Sequence, residues 1–449
     1  MILSVVGLGY VGLTTAVCFA QKGIQVLGVE KDRSKLDKIR SGEPSFHEEG
    51  LAKLLEDNLG QSFHIGDDVH NAVKNSQITL VCVGTPTVNG KIDLSGVLGA
   101  LKEIVAEVCA SKKFHVIVIK STVVPGSTDS VFREFIEQEF NLTVGQDIGL
   151  CVNPEFLREG SAVQDFMEPD RIVIGSSDKK SENELIELYE VFKPTPLLFV
   201  SNTTAELIKY TSNSFFATLI SFSNEISNIA EHLPGTEINT VLEGLFLDRR
   251  ITKSKEGGNF ERPDLISYIR PGIGFGGSCF PKDIRALASC AEGVGVTPKL
   301  LKSVLEVNEY QPQNILSLGE KAYGQFKNKS VGVLGLSFKS NSDDIRESKS
   351  IDLIKFLLLK SANVFAYDPM AMPNTKELMQ DYDIHYLDTL TDVVSMCETV
   401  FVCVDWQEFH QLSELVESIK PNLNIVDAKL FLDRSKFKNY IAVGDSHFL

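Results

Sequence analysis

No run of apolar residues in this 449-residue sequence approaches the ~20 that a bilayer-spanning helix needs, which excludes a helical membrane span. No charged leader precedes the first apolar run, Ile2 to Val6, so the sequence reads as starting directly in its first strand. Cysteine is scarce and scattered. Cys18, Cys82, Cys109, Cys151, Cys279, Cys290, Cys397 and Cys403 form no C-x-x-C pair and no finger spacing. That usage excludes a disulfide framework and a zinc site, so no metal is expected, and it suits a reducing, cytoplasmic compartment. Positive charge is also short: the net charge is −16. Such a surface opposes nucleic acid and anionic lipid, and an anionic substrate would need basic residues gathered in its cleft. Low-complexity tracts and repeats of solenoid period are missing as well.

What is present is an ordinary globular composition, 43% hydrophobic and 23% charged, in a chain long enough for two or three domains. Short apolar runs alternate with amphipathic stretches, and the candidate strands are Ile2–Val6, Gln25–Glu30, Ile78–Val83, Val116–Lys120, Gly149–Val152 and Arg171–Gly175. This alternation predicts βαβ units and a parallel sheet. From Thr203 to His232 there is neither glycine nor proline, and Thr203-Thr204-Ala205-Glu206 reads as a capping box opening one long helix. Asp248–Pro263, charged and glycine-bearing, reads as a surface insertion. The rhythm then resumes at Ser330–Leu336, Asn363–Tyr367, Thr399–Val404 and Asn424–Asp427. The expected fold is α/β, with two Rossmann-like domains joined by a long central helix. The boundaries are residues 1–200 for a dinucleotide domain, 201–326 for a central helical region and 327–449 for the second Rossmann-like domain.

Ile2–Val6 runs into Gly7-Leu8-Gly9-Tyr10-Val11-Gly12, a G-x-G-x-x-G between a strand and a helix. The first glycine permits the tight turn, the second lets backbone approach a pyrophosphate, and the third lets helix pack on strand. Free N–H groups at the helix N-terminus then face the phosphates. Glu30, ending the second strand, can accept hydrogen bonds from a ribose and repels a 2′-phosphate, although Lys31, Arg33 and Lys35 follow at once. The cofactor expected is NAD.

The segment Gly272-Ile273-Gly274-Phe275-Gly276-Gly277-Ser278-Cys279-Phe280-Pro281-Lys282-Asp283 carries the chemistry. Its glycines let backbone come close to a ligand and a thiol sit in a tight turn. A cysteine with an ordinary pKa of roughly 8.5 needs cationic or dipolar help to act as a nucleophile, and Lys282 or another lysine can supply it. Alone, Cys279 would be read as a buried structural thiol, but the glycine run and the Lys-Asp pair favour a nucleophile. Lys209 and Asn213, one helical turn apart, project from one face of the long helix; by themselves they read equally as a solvated stripe.

Further segments complete a pattern: Val83-Gly84-Thr85-Pro86-Thr87, Lys120-Ser121-Thr122-Val123-Val124-Pro125-Gly126-Ser127-Thr128, Asn153-Pro154-Glu155-Phe156-Leu157-Arg158-Glu159-Gly160, Pro169-Asp170-Arg171-Ile172, Gly335-Leu336-Ser337-Phe338-Lys339 and Arg346-Glu347-Ser348. With the two glycine loops, they resemble the UDP-glucose/GDP-mannose dehydrogenase family over nearly the whole chain. The resemblance implies NAD-dependent, four-electron oxidation of UDP-glucose to UDP-glucuronate through a thiohemiacetal and a thioester on Cys279. It makes Lys209, Asn213 and Asp283 the residues that position water and stabilise oxyanions. Glu155 is then the base for thioester hydrolysis, and Thr122 orders the water.

The resemblance also assigns binding residues. Gly7, Gly9, Tyr10, Val11, Gly12, Glu30, Lys35, Thr85, Pro86, Thr122, Glu159 and Arg346 fall to the cofactor. Glu155, Phe156, Leu157, Lys209, Asn213, Arg250, Tyr268, Ile269, Arg270, Gly276, Lys339 and Lys429 fall to the sugar nucleotide, with Tyr268 to Arg270 on a strand before the cysteine loop. A homodimer through the central region is implied too. The sequence departs from the family in two places. Extra residues separate Arg250, the counterpart of an arginine reaching across subunits, from Tyr268, and Asp427-Ala428-Lys429 replaces Asp-Gly-Arg. Arginine and lysine are not interchangeable at a bidentate site. GDP-mannose or another UDP-hexose is therefore the alternative substrate, and a non-catalytic, NAD-binding regulatory subunit is the alternative of another class.

Overall fold

The computed structural model describes residues 1–88, 91–254 and 260–446. They form two compact units, Met1–Ser212 with Ser289–Val296, and Asn213–Ala288 with Thr297–Leu449. The first is built on eight strands: β1 Ile2–Val6, β2 Gln25–Val29, β3 Phe63–Gly66, β4 Ile78–Val81, β5 Val116–Ile119, β6 Gly149–Val152, β7 Ile172–Gly175 and β8 Leu197–Val200. Their order is β8-β7-β6-β5-β4-β1-β2-β3. The run from β3 to β6 is parallel, and β7 turns antiparallel to β6 at Val152 and Gly175. Strands such as Val116–Ile119 are buried along their whole length because helices cover both faces of the sheet. Val116 and Val118 join Leu13, Val17 and Phe19 in one layer. Ile117 and Ile119 join Leu101, Ile104 and Ile136 in the other.

The second unit carries a six-stranded parallel sheet: β9 Ser330–Leu334, β10 Asn363–Tyr367, β11 Ile384–Tyr386, β12 Thr399–Val402, β13 Asn424–Asp427 and β14 Asn439–Ala442, ordered β11-β10-β9-β12-β13-β14. It too has a core on each face, one around Val333, Ala366 and Phe401, the other around Leu334, Val402 and Trp406. The α/β expectation with two parallel-sheet domains therefore holds.

The long helix runs from Asn202 to Ala230. Its opening is not the predicted capping box. Ser201 takes the cap, its hydroxyl accepting from the Thr204 N–H at 3.3 Å. Glu206 instead reaches a separate loop and accepts from the N–H of Thr128 at 3.0 Å and from that of Gly126. Ser221, Ser223, Asn224 and Ser227 are buried while Phe215, Phe222 and Ile229 are about half exposed, the reverse of a simple amphipathic helix. The Asp248–Pro263 stretch forms an antiparallel pair, Lys253–Ser254 with Phe260–Glu261, and its residues 255–259 lie outside the described ones. Tyr268 is not on a strand: Asp264–Tyr268 is one 3-10 turn, closed by the Ser267 hydroxyl donating to the Asp264 carbonyl at 2.6 Å and bounded by Pro263 and Pro271.

Candidate active site

In the first unit, Gly7 adopts φ +90 and Gly9 is the N-cap of helix Tyr10–Gln21. A Cβ on Gly12 would land on the Gly7 carbonyl oxygen, so helix and strand meet only through glycine there. A Cβ on Gly9 would meet nothing within 4 Å. The backbone at Gly9 thus faces open space at a helix N-terminus, the cradle a pyrophosphate requires. It lies where the sheet reverses its winding, between β1 and β4, the crevice where open α/β sheets bind ligands. The Glu30 carboxylate stands at the end of β2 and accepts from the Leu8 and Asp32 N–H groups at 2.9 Å each. Of the cations beside it, Lys31 pairs with Glu103 and Arg33 with Asp67. Lys35 is exposed, and Val11 is half-buried next to the glycines.

The neighbouring loops are tied together. The Thr85 hydroxyl donates to the Thr122 carbonyl at 2.8 Å, beside the exposed Pro86. The Tyr10 hydroxyl donates to Glu48, whose buried carboxylate also takes the Gly160 and Ala162 N–H groups at 2.8 Å each. Burial, then Glu48, Glu159 and Glu155, raise the Tyr10 phenol far above its ordinary value, so it stays a donor. Glu48 was not legible in the sequence, since one of two adjacent glutamates before a helix carries no signal.

Glu155 and Lys209, both nearly inaccessible, pair at 2.8 Å. Burial alone would raise the Glu155 carboxyl, but the Lys209 ammonium, the Leu157 N–H at 2.7 Å and the Lys120 charge outweigh it and hold it below its ordinary value. Phe156 lies under the Arg171 guanidinium, at 4.1 Å from its ring centre. Glu155, Phe156 and Leu157 help to line a cavity of about 300 Å³ that also includes Lys120, Asn153 and Tyr189. Lys120 donates to the Asn153 side chain at 2.7 Å.

In the second unit, Cys279 immediately precedes helix Phe280–Gly293, and its carbonyl accepts the Asp283 N–H at 2.9 Å. The half-buried thiol therefore sits at a helix N-terminus, where the partial positive charge favours thiolate. Its sulfur lies 3.5 Å from the Ser278 hydroxyl. One turn into the helix, the buried Asp283 carboxylate accepts from the Asn213 side chain at 2.7 Å and lies 3.3 Å from the Lys282 ammonium. Lys282 is thus engaged by a carboxylate.

The glycines before Cys279 also meet packing demands within their own unit. A Cβ on Gly276 would strike the Glu347 carbonyl, on Gly277 the Phe338 ring, on Gly274 the Asn308 side chain and on Gly272 the Ala428 carbonyl. They let the loop pack against its own unit. Asn224 accepts the Gly272 N–H at 2.7 Å, and the Arg346 carbonyl accepts the Gly277 N–H at 2.8 Å. Asn224 and Asn308 were missed because a polar residue on a helix reads as solvent-facing.

The remaining candidates of this unit are spread more widely. Tyr268 packs against Phe216 with the rings tilted by 32° and their centres 4.4 Å apart, Ile269 is buried and Arg270 is exposed. Arg250, mostly exposed, is chelated by Asp248, and Arg346 is chelated by Asp344. Lys339 lies over the Phe338 ring. Half-buried Lys429 donates its N–H to Asp427 at 2.9 Å.

Residues 1–193 match the NAD binding domain of the UDP-glucose/GDP-mannose dehydrogenase family, residues 203–310 its central domain and residues 332–434 its UDP binding domain. The chain is 35% identical, over 98% of its length and 99% of the relative's, to UDP-glucose 6-dehydrogenase AglM of Haloferax volcanii. The structure is similar to that of a UDP-glucose dehydrogenase from Pyrobaculum islandicum, with a TM-score of 0.88 at 35% identity, covering 99% of this chain and 97% of that one. It is also similar to a UDP-D-ManNAc dehydrogenase from Pyrococcus horikoshii, with a TM-score of 0.83 at 25% identity, covering 99% and 100%. The chain belongs to the UDP-glucose/GDP-mannose dehydrogenase family, with NAD as its cofactor.

Proposed function

We propose that the protein oxidises the hydroxymethyl group of UDP-glucose to a carboxylate in two steps, through covalent intermediates on Cys279. The observation that carries the chemistry is the Cys279 thiol at the N-terminus of helix Phe280–Gly293, with the Asp283–Asn213 pair one turn in. UDP-glucose is favoured because relatives bearing that substrate's name stand at 35% identity, against 25% for the UDP-D-ManNAc enzyme.

NAD⁺ supplies the oxidising power, accepting one hydride in each oxidation. The first oxidation removes a hydride and the hydroxyl proton and leaves an aldehyde. The Cys279 thiolate adds to its carbon, a C–S bond forms, and the oxygen takes a proton to give a thiohemiacetal. Loss of a second hydride and of that proton leaves a thioester. Water adds, giving one proton to the base as it attacks, the C–S bond breaks, and carboxylate and thiolate separate as the second proton passes to solvent. Lys209 and Asn213 donate to the oxyanions, and Asp283 orients Asn213. Glu155, held ionised, takes the proton of a water ordered by Thr122. Capture on sulfur keeps the aldehyde from escaping. The helix face bearing Phe215, Phe222 and Ile229 suits a homodimer through the central region 201–326, and the reduced thiols suit the cytoplasm.

The test is NADH formed per sugar nucleotide consumed, with UDP-glucose, GDP-mannose and UDP-N-acetylglucosamine offered separately in limiting amounts. Two NADH per UDP-glucose, with little from the others, is expected. One per substrate contradicts the thioester route, and none points to a regulatory subunit. Cys279→Ser is expected to lose turnover; undiminished acid production by it overturns the nucleophile.

A further inference from the structure

The cysteine loop is held by an unusual partner. Asn308, on helix Lys299–Tyr323, is 2% exposed, and its side-chain oxygen accepts the Phe275 N–H at 2.7 Å while its side-chain nitrogen donates to the Phe275 carbonyl at 2.9 Å. One amide thus supplies both hydrogen bonds of a backbone residue, as a neighbouring strand would. Gly274, at φ +112, leaves the room for it, since a Cβ there would stand 2.6 Å from the Asn308 oxygen. Pro312 lies inside helix Lys299–Tyr323 and has no N–H to offer the Asn308 carbonyl, which marks a site of bending.

We propose that Asn308 is a positioning residue for catalysis: by clamping Phe275 it fixes the course of the loop from Gly274 to Ser278, and so where Cys279 presents its sulfur at the start of helix Phe280–Gly293. This rests on the reading of Cys279 as the nucleophile. Asn308 itself acts only through Phe275. The residue is specific, because the clamp needs a donor and an acceptor on one short planar group. Aspartate keeps the acceptor and the shape but sets an oxygen against the Phe275 carbonyl; alanine removes both bonds.

The experiment uses the full chain carrying Asn308→Asp, with Asn308→Ala beside it. It measures kcat and KM with the sugar nucleotide that yields NADH, and the pH dependence of Cys279 alkylation by iodoacetamide, followed by peptide mapping and scaled to folded protein. Asn308→Asp is expected to lower kcat by about ten- to a hundredfold, with both KM values within about threefold of wild type, since small misplacement of a reacting group costs rate rather than binding. The alkylation midpoint is expected to rise as the thiol leaves the helix N-terminus. Folded Asn308→Asp with wild-type kcat and an unchanged midpoint overturns the proposal. So does a loss of activity matched by an equal loss of folded protein, with normal alkylation of what remains. If Asn308→Ala does not fold, Asn308→Asp decides the matter; if neither folds, the role is structural and the proposal falls. Should Cys279→Ser still make acid, the nucleophile reading fails, while the alkylation midpoint continues to report whether Asn308 sets the thiol's position.

Discussion

At the scale of single residues, the three glycines of the first loop do different work, and two of them make opposite predictions. Gly9 has ordinary φ and open space at its Cβ, whereas a Cβ at Gly12 collides with the Gly7 carbonyl. Gly9→Ala is therefore expected to melt within a few degrees of wild type, a change of about 0.5 kcal/mol or less. Its KM for NAD should nevertheless rise about tenfold, because the new methyl group enters the cradle. Gly12→Ala should lose stability outright, by about 1–3 kcal/mol from overpacking. Thermal melts with and without NAD separate the two; equal NAD affinity of Gly9→Ala and wild type would mean that the open face is not the cradle. The sequence motif anticipated the tight turn at Gly7 and the helix packing at Gly12, because both are backbone demands that only glycine meets. The second glycine run was legible as a position, but its packing role was not. Its partners, Asn308, Phe338 and Glu347, are distant in sequence, so only the fold reveals that those glycines serve packing.

At the scale of elements, the strands of the two large sheets that sequence periodicity missed are β3, β8, β11 and β14, the four edges of those sheets. Three of them, β3, β8 and β11, are largely half-exposed and carry no continuous buried run, which is the signal that identified the interior strands. Predicted strands also ran too far at Glu30, Cys82–Val83 and Lys120, where the chain leaves the sheet. Those residues are apolar enough, or long enough in side chain, to mimic a strand, yet Glu30 and Lys120 turn to the sites instead. The long helix was legible in length but not in how it is anchored. Burial raises the Glu206 carboxyl from 4.5 to about 7, against the Thr128 and Gly126 hydrogen bonds that lower it, and Asp129 raises it further. Cys290, on helix Phe280–Gly293, also senses the Glu206 charge. A carboxyl whose folded pKa is raised contributes stability that is complete below the unfolded value and is lost as pH rises through the folded one. Urea stability should fall between pH 4.5 and about 7, by at most about 1.4 kcal/mol per pH unit from this group. Glu206→Gln should flatten that slope. An identical slope in the variant would show that Glu206 is ionised throughout.

At the scale of the whole molecule, the two large sheets repeat one turn with different outcomes. Gly7 and Gly335 have φ of 90 and 89, their N–H groups donate to Val29 and Tyr367 at 2.9 Å each, and Glu30 and Asp368 accept the N–H groups of Leu8 and Leu336. Ser337, however, stands where Gly9 does. Asp368 also takes the Ser337, Met370 and Ala371 N–H groups and the Trp406 indole N–H, so its carboxylate is occupied by its own chain rather than facing a ribose. With nothing within 4 Å of a Cβ at Gly9, the first turn is the one that suits the expected NAD cradle. The same scale decides what covers Phe215, Phe222 and Ile229, spaced by seven and each about half exposed on one helix. Large apolar side chains repeating along a stripe mark an interaction surface, and in the homodimer proposed above a second copy would cover it with the same stripe by two-fold symmetry. Because that symmetry places each residue in the contact twice, Phe222→Lys removes about 1.5–3 kcal/mol of apolar burial per copy and sets two ammonium groups in one apolar interface. Sedimentation at micromolar protein should then find the variant at the mass of one chain and wild type at the mass of two. An unchanged dimer would put the contact elsewhere, and a monomeric wild type would leave the stripe to a partner of another kind.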